Sequence, residues 1–134
     1  MPTNVTISGY SHVAVAATNI NETRDFYRDR LGFEELPRPD FGFPGLWMRV
    51  GDLQLHFIEV DEMGPPPKGF PHFALYVPTE AFHATVENLK TAGVPFLGEP
   101  THRVDFGTTD VWQTFIQDPS GNVIELTDVG PLTS

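Results

Sequence analysis

The sequence predicts an α+β fold in which a single domain, residues 1–134, contains two βαβββ modules. With 40% hydrophobic and 19% charged residues, the chain has the composition of a globular domain with a core. It also contains an internal repeat, because "SHVAVAATNINETRDFYRDRLGFEEL" from Ser11 and "PHFALYVPTEAFHATVENLKTAGVPFL" from Pro71 follow one pattern. In each copy a histidine begins an alternating strand, and a polar turn, a helix and a glycine follow.

Module one is predicted over about residues 8–60, and it begins with a strand at "SHVAVA". Its helix is expected from about Asn21 to Leu31, because Asn19 or Asn21 can cap its start and Gly32 suits the left-handed position after its end. Three extended segments should follow at residues 33–36, 46–50 and 53–60, with a tight turn before the last one.

Module two is predicted over about residues 71–129, after a linker at residues 61–70 that is rich in proline and glycine. Its helix is expected from about Thr79 to Ala92, with Thr79 as the cap and Gly93 past the end. Extended segments are expected at residues 95–97, 111–117 and 122–128. The stretch that contains His102 and Arg103 is expected to be a loop.

The first and last strands of both modules place titratable residues on one face. Side chains alternate between the two faces of a strand, and one face of each of these strands is bulky and apolar, as a helix-covered face should be. On the opposite face lie His12 and His72 in the first strands, and His56 and Glu125 in the last strands. The repeat therefore produces two equivalent pairs of titratable side chains.

Three imidazoles and one carboxylate suit a divalent metal ion such as Zn, Ni, Co, Mn or Fe(II). A single strand histidine is usually held by a neighbour's hydrogen bond, but four such residues at equivalent positions favour a metal site formed by His12, His56, His72 and Glu125. For His56 three interpretations stay open: it is a ligand, it supports a ligand from beside the metal, or it contacts the substrate directly. His83, on the second helix, is expected at the surface.

Composition excludes several classes of partner and site. Eight basic residues against 18 acidic ones give a net charge of -10, which disfavours nucleic acid. The sequence has no apolar run of the ~20 residues that a membrane span needs, so no membrane partner is expected. Without cysteine the chain forms no disulfide or thiolate metal site, and with no recognisable secretory signal we expect a cytoplasmic protein.

Residues for substrate binding are also suggested by residue type. Arg103 is a candidate for binding a substrate carboxylate. Aromatic side chains can line an apolar pocket or pack in the core, and the candidates are Phe41, Phe43, Trp47, Phe106 and Trp112.

The motifs "SHVAV", "TRDFYRDRLGF", "GFPHFALYV" and "FIQDPSGNVIELTD" resemble the vicinal oxygen chelate superfamily, which includes glyoxalases, bleomycin resistance proteins and extradiol dioxygenases. The resemblance covers about Tyr10 to Val129. It implies sheets curled around a central metal and substrate cleft, and a homodimer. His12, His72 and Glu125 match the first, third and fourth ligand positions of the family. His56 matches the second, where glyoxalase I has glutamate and methylmalonyl-CoA epimerases have glutamine.

The resemblance implies a metal-dependent enzyme whose small substrate carries vicinal oxygens, either a lyase or isomerase or an Fe(II) dioxygenase. Glu125 and His56 are then the candidate catalytic residues, since an imidazole not bound to metal can act as a base near pH 7. The alternative is a non-catalytic protein that sequesters a ligand, as bleomycin resistance proteins do. Thiol conjugation of the fosfomycin-resistance type is disfavoured, because the pocket offers few cations for a phosphonate: Arg38, Arg49 and Arg103.

Overall fold

A computed structural model describes residues 5–106 and 109–131, without the side chains of residues 105, 106 and 109. The strands are β1 (His12–Ala17), β2 (Glu34–Leu36), β3 (Gly45–Val50), β4 (Leu53–Glu59), β5 (Phe73–Tyr76), β6 (Thr101–Phe106), β7 (Thr109–Gln117) and β8 (Val123–Thr127). Helix α1 (Ile20–Arg24) continues as a π-helical segment (Asp25–Arg30), and α2 spans Thr79–Thr91. Neither helix in these ranges has the length and apolar character needed to cross a membrane.

The strands form two four-stranded sheets with the same topology. Their orders are β1-β4-β3-β2 and β5-β8-β7-β6. In each sheet the first strand pairs in parallel with the last, and the other pairs are antiparallel. A strand, a helix and three strands thus recur in the same spatial order, which confirms the two predicted βαβββ modules.

The helix boundaries follow local capping, with one exception. Asn19 caps α1, because its side-chain oxygen accepts a hydrogen bond from the backbone N–H of Glu22. Gly32 and Gly93 have φ values of 80° and 82° after the two helices, as the sequence predicts. The prediction that Thr79 caps α2 is wrong. Thr79 is the first helical residue, and its hydroxyl donates a 2.7 Å hydrogen bond to Asp128 Oδ2, which ties α2 to the end of β8.

The strand β6 lies in the stretch expected to be a loop. The strand expected at residues 95–97 is reduced to an isolated bridge between Phe96 and Ile116. Instead Thr101 pairs with Gln113 and Arg103 with Val111, and the register shifts after Arg103. Pairing with the long strand β7 thus overrides the weak alternation of "THRVDF".

One hydrophobic core extends across both modules and includes the fully buried residues Tyr27, Phe57, Phe82, Ile116 and Ile124. Polar bonds also join the modules. The Tyr27 hydroxyl donates to Asp118 Oδ2 at 2.8 Å, and the Asn122 side-chain amide donates to the carbonyl of Ala16 at 2.8 Å. The "DPSGN" turn of module two is therefore attached to the helix and first strand of module one.

Candidate metal centre

Half-site one, defined here as His12 and His56, lies on the first sheet. The register pairs His12 with Gln54 and Ala14 with His56, so both imidazoles project from one face. Their rings stack with centroids 4.0 Å apart. Trp47, opposite His56 on β3, stacks on it at 4.2 Å with an angle of 4° between the planes. Indole and two imidazoles therefore form a continuous stack.

The hydrogen bonds of half-site one distinguish its two histidines. His56 Nε2 donates to the side-chain oxygen of Gln54 at 2.8 Å, which leaves Nδ1 with the lone pair in the neutral ring. His12 Nδ1 lies 3.0 Å from the hydroxyl of Ser11, so Nε2 is the nitrogen left for another partner. Burial, followed by the charges of His12 and Arg38, lowers the pKa of His56. His56 is therefore neutral near pH 7.

Half-site two is defined here as His72 and Glu125. Glu125 lies on β8 of the second sheet, and His72 directly precedes β5 rather than lying within that strand as expected. His72 Nδ1 donates to the carbonyl of Phe70 at 2.6 Å, and Nε2 lies 3.0 Å from Glu125 Oε1. In the neutral tautomer that Phe70 selects, the Nε2 lone pair faces a carboxylate oxygen. A cation between them, either a proton or a metal ion, relieves this contact. Metal-binding histidines are commonly held in this way, with the second ring nitrogen donating to a backbone carbonyl.

Aromatic rings flank half-site two as well. Phe115 pairs with Glu125 across β7 and β8, and its ring lies 5.5 Å from that of His72. The ring of Phe70 lies 5.2 Å from the imidazole. Neither phenylalanine was selected from the sequence. For Phe115 the strand pattern contains the necessary information. Phe115 pairs with Glu125 on the neighbouring strand, and paired residues project from the same face of a sheet.

The two half-sites do not combine within one chain. Among the residues that the structure describes, no group of three or more histidine and carboxylate side chains is arranged to hold a metal ion. The four residues predicted to bind a metal ion therefore do not meet within the described part of one chain, and their role as ligands stays a prediction. His12 and His56 belong to the first sheet, whereas Glu125 belongs to the second sheet and His72 directly precedes its strand β5.

The remaining candidates are divided between the two faces of the second sheet. The register of β6, β7 and β8 places Arg103 on the Glu125 face. Trp112 is on the opposite face, where it packs against Phe82 and His83 of α2, in agreement with the core-packing alternative for the aromatic candidates. Phe106 ends β6, and its side chain lies outside the described residues.

Neither His102 nor His83 belongs to a half-site. His102 lies on β6, not in a loop, and it stacks on Trp112 at 4.4 Å. Its Nε2 is 3.7 Å from Asp110 Oδ2. His83 is exposed on α2, as the sequence predicts.

A cavity of about 790 Å³ lies where β1, β5 and the linker meet. Its wall includes Ala14 and Ala16 from β1, His72, and the linker prolines Pro65 and Pro66. His72 of half-site two therefore borders a space large enough for a small organic molecule.

Comparison with known proteins agrees with this architecture. A family model described as "Glyoxalase/Bleomycin resistance protein/Dioxygenase superfamily" matches residues 9–126. Glyoxylase I 4 of Arabidopsis thaliana is 25% identical over 129 residues, which cover 90% of this chain and 70% of that protein.

Two solved structures have the same fold. A glyoxalase family protein from Bacillus anthracis is 29% identical, with a TM-score of 0.71 over 93% of this chain and 98% of that one. A mutant of the fosfomycin resistance protein FosX from Listeria monocytogenes, solved with Mn(II) and 1S,2S-dihydroxypropylphosphonic acid, is 22% identical. Its TM-score is 0.74, over 95% of this chain and 94% of that one.

Proposed function

The chain belongs to the glyoxalase/bleomycin resistance protein/dioxygenase superfamily, and we propose that it is a metal-dependent enzyme acting on a small molecule with vicinal oxygens. The observation that carries the proposal is half-site two. His72 Nε2 and Glu125 Oε1 converge at 3.0 Å, while the carbonyl of Phe70 holds the other nitrogen of the imidazole.

The donor set suits a divalent ion. His12, His72 and Glu125 provide two imidazoles and one carboxylate, a set that binds Zn, Ni, Co, Mn or Fe(II) and leaves coordination positions open. An ion held there supplies Lewis-acid polarisation of two vicinal substrate oxygens or, as Fe(II), an electron source for dioxygen. Elemental analysis separates the two chemistries, since Fe favours the dioxygenase and Ni, Co or Zn the lyase or isomerase.

The site is proposed to form between two copies of the chain. A single chain separates the half-sites, and both are accessible, since His12 and His72 are exposed. In a homodimer, His12 of one copy would join His72 and Glu125 of the other. The symmetry of such a dimer creates two identical sites.

His56 is proposed to act beside the metal. Its Nε2 is engaged by Gln54 and its ring is stacked between His12 and Trp47, so Nδ1 is the atom available to accept a proton from substrate. The lowered pKa keeps the ring neutral and able to act as a base. Glu125 remains the candidate for moving a proton at the metal side.

Metal titration calorimetry of chelator-treated protein tests the proposal. We expect one ion per chain, and binding that is lost or strongly weakened in His72→Ala and Glu125→Ala. His83→Ala is the matched control, because His83 is an exposed helix residue that should leave binding unchanged. Unaltered binding in the first two variants, or none in the native protein after reconstitution, would favour the ligand-sequestering alternative.

A further inference from the structure

The side chain of Arg38, one of the few cations expected at the pocket, lies against the first sheet. Arg38 follows β2, and its side chain crosses Gly45, the first residue of β3. A Cβ atom at Gly45 would lie only 2.6 Å from Arg38 Nε and 2.6 Å from the carbonyl oxygen of Phe57. The missing side chain of Gly45 therefore creates the space in which the guanidinium lies.

The guanidinium of Arg38 lies on the same face of the first sheet as half-site one. Gly45 is two residues before Trp47 on β3, so the two residues share the face from which His56 projects. Arg38 Nη1 donates to the carbonyl of Phe43 at 3.1 Å, which fixes the guanidinium. Its charge also reaches His56, where it contributes to the lowered pKa after burial and His12.

The guanidinium is half-buried without an acidic partner. Arg24, Arg28 and Arg49 each lie within ion-pairing distance of a carboxylate, and Arg30, which has no such partner among the described residues, is exposed to solvent. Among the side chains that the structure describes, no carboxylate lies that close to Arg38, although the chain has a net charge of -10. A partly desolvated cation without a counter-charge is stabilised by an anion from outside the chain.

Aromatic rings surround this cation. The rings of Phe41 and Phe43 each lie 5.0 Å from Arg38 Cζ, and Phe41 lies 6.1 Å from Trp47. Both phenylalanines expose about half of their surface, at 52% and 46%. The apolar surface beside the charge therefore continues to the Trp47–His56–His12 stack.

We propose that Arg38, Phe41 and Trp47 form a subsite for a small aryl carboxylate, with the carboxylate on the guanidinium and the aromatic ring on the exposed rings. The subsite names a class of substrate for the enzyme proposed above. It rests on that proposed function, because the reaction would take place at the metal beside half-site one. A carboxylate carries one negative charge, which one guanidinium can balance. A phosphonate carries a larger negative charge, which the acidic chain would repel more strongly.

Binding to the metal-free protein tests the subsite separately from catalysis. Phenylacetate, its neutral counterpart 2-phenylethanol, and phenylphosphonate are titrated in chelator at low salt. We expect phenylacetate to bind best, and Arg38→Gln to weaken it about tenfold or more, to the level of the neutral compound. Arg38→Lys should retain part of the affinity, because it keeps the charge without the planar fork.

Arg49→Gln is the matched control, since Arg49 is on the same strand as Gly45 but its Nε is already 3.0 Å from Glu34. No phenylacetate binding by the native protein, equal binding of 2-phenylethanol, preference for phenylphosphonate, or equal losses in Arg38→Gln and Arg49→Gln would overturn the inference. Metal titration of Arg38→Gln should match the native protein, so failure of the metal site and failure of the subsite are separable.

Discussion

The hydroxyl of Tyr27 donates a 2.8 Å hydrogen bond to Asp118 Oδ2, and this bond joins the helix of module one to the "DPSGN" turn of module two. Tyr27 is fully buried and Asp118 is 5% exposed. Asp118 also accepts from the backbone N–H groups of Ser120 and Asn122 and from the Asn122 side chain, so the turn is organised around one carboxylate. The contact between the modules thus depends on a buried charge that is fully hydrogen-bonded.

Tyr27→Phe should therefore lower the free energy of unfolding by about 1–3 kcal/mol, because a charged acceptor loses one buried donor while the packing is retained. Urea unfolding measures the loss. Tyr10→Phe is the matched control, since Tyr10 is 84% exposed and its change should stay within about 0.5 kcal/mol. Equal stabilities of the two variants would contradict a stabilising role for the bond.

The same bond predicts a dependence of stability on alkaline pH. Burial, then the charge and hydrogen bond of Asp118, raise the pKa of Tyr27 above its ordinary value of 10.0. The unfolded chain then loses a proton that the folded chain keeps, so stability should fall as pH rises above about 10. Unfolding titrations from pH 8 to pH 11 should show a shallower fall in Tyr27→Phe. Parallel pH curves for the two proteins would be evidence against this assignment.

His56 should titrate below the ordinary histidine value of 6.5 in metal-free protein. Burial disfavours its charged form first, and His12 and Arg38 add to the effect. Since the unfolded state binds more protons in this range, His56 should make the free energy of unfolding decrease as pH falls through 6.5. NMR titration of the imidazole signals measures the pKa, and Arg38→Gln should move it part of the way back. A value for His56 at or above 6.5 would be inconsistent with the described stack.

The internal repeat made most of the fold predictable, because the position of His12 in one copy located His72 in the other, and alternation then defined the faces. Alternation alone did not place Trp112, because its face depends on the pairing of Phe115 with Glu125, which only the register reveals. The contact of Arg38 with β3 could not be predicted from the local sequence pattern either, because it depends on the space that Gly45 leaves on a neighbouring strand. The separation of the two half-sites depends on how the sheets are arranged, and that arrangement leaves no trace in the strand periodicity.

The proposed shared site predicts complementation between inactive variants. His12→Ala and Glu125→Ala would each damage both sites of a homodimer, but from opposite half-sites. When the two variants are unfolded together and refolded, half of the dimers are mixed, and each mixed dimer has one intact site. About a quarter of the native sites should therefore return, measured as bound metal. A site formed within one chain would show no recovery.

The control for complementation is a mixture of His72→Ala and Glu125→Ala, whose changes lie in the same half-site. A mixed dimer of these two has one damaged residue in each site, so no metal binding should return. The two refolded mixtures have equal amounts of mutant protein and differ only in which module carries the change. Recovery in both mixtures, or in neither, would contradict a site made of His12 from one copy and His72 with Glu125 from the other.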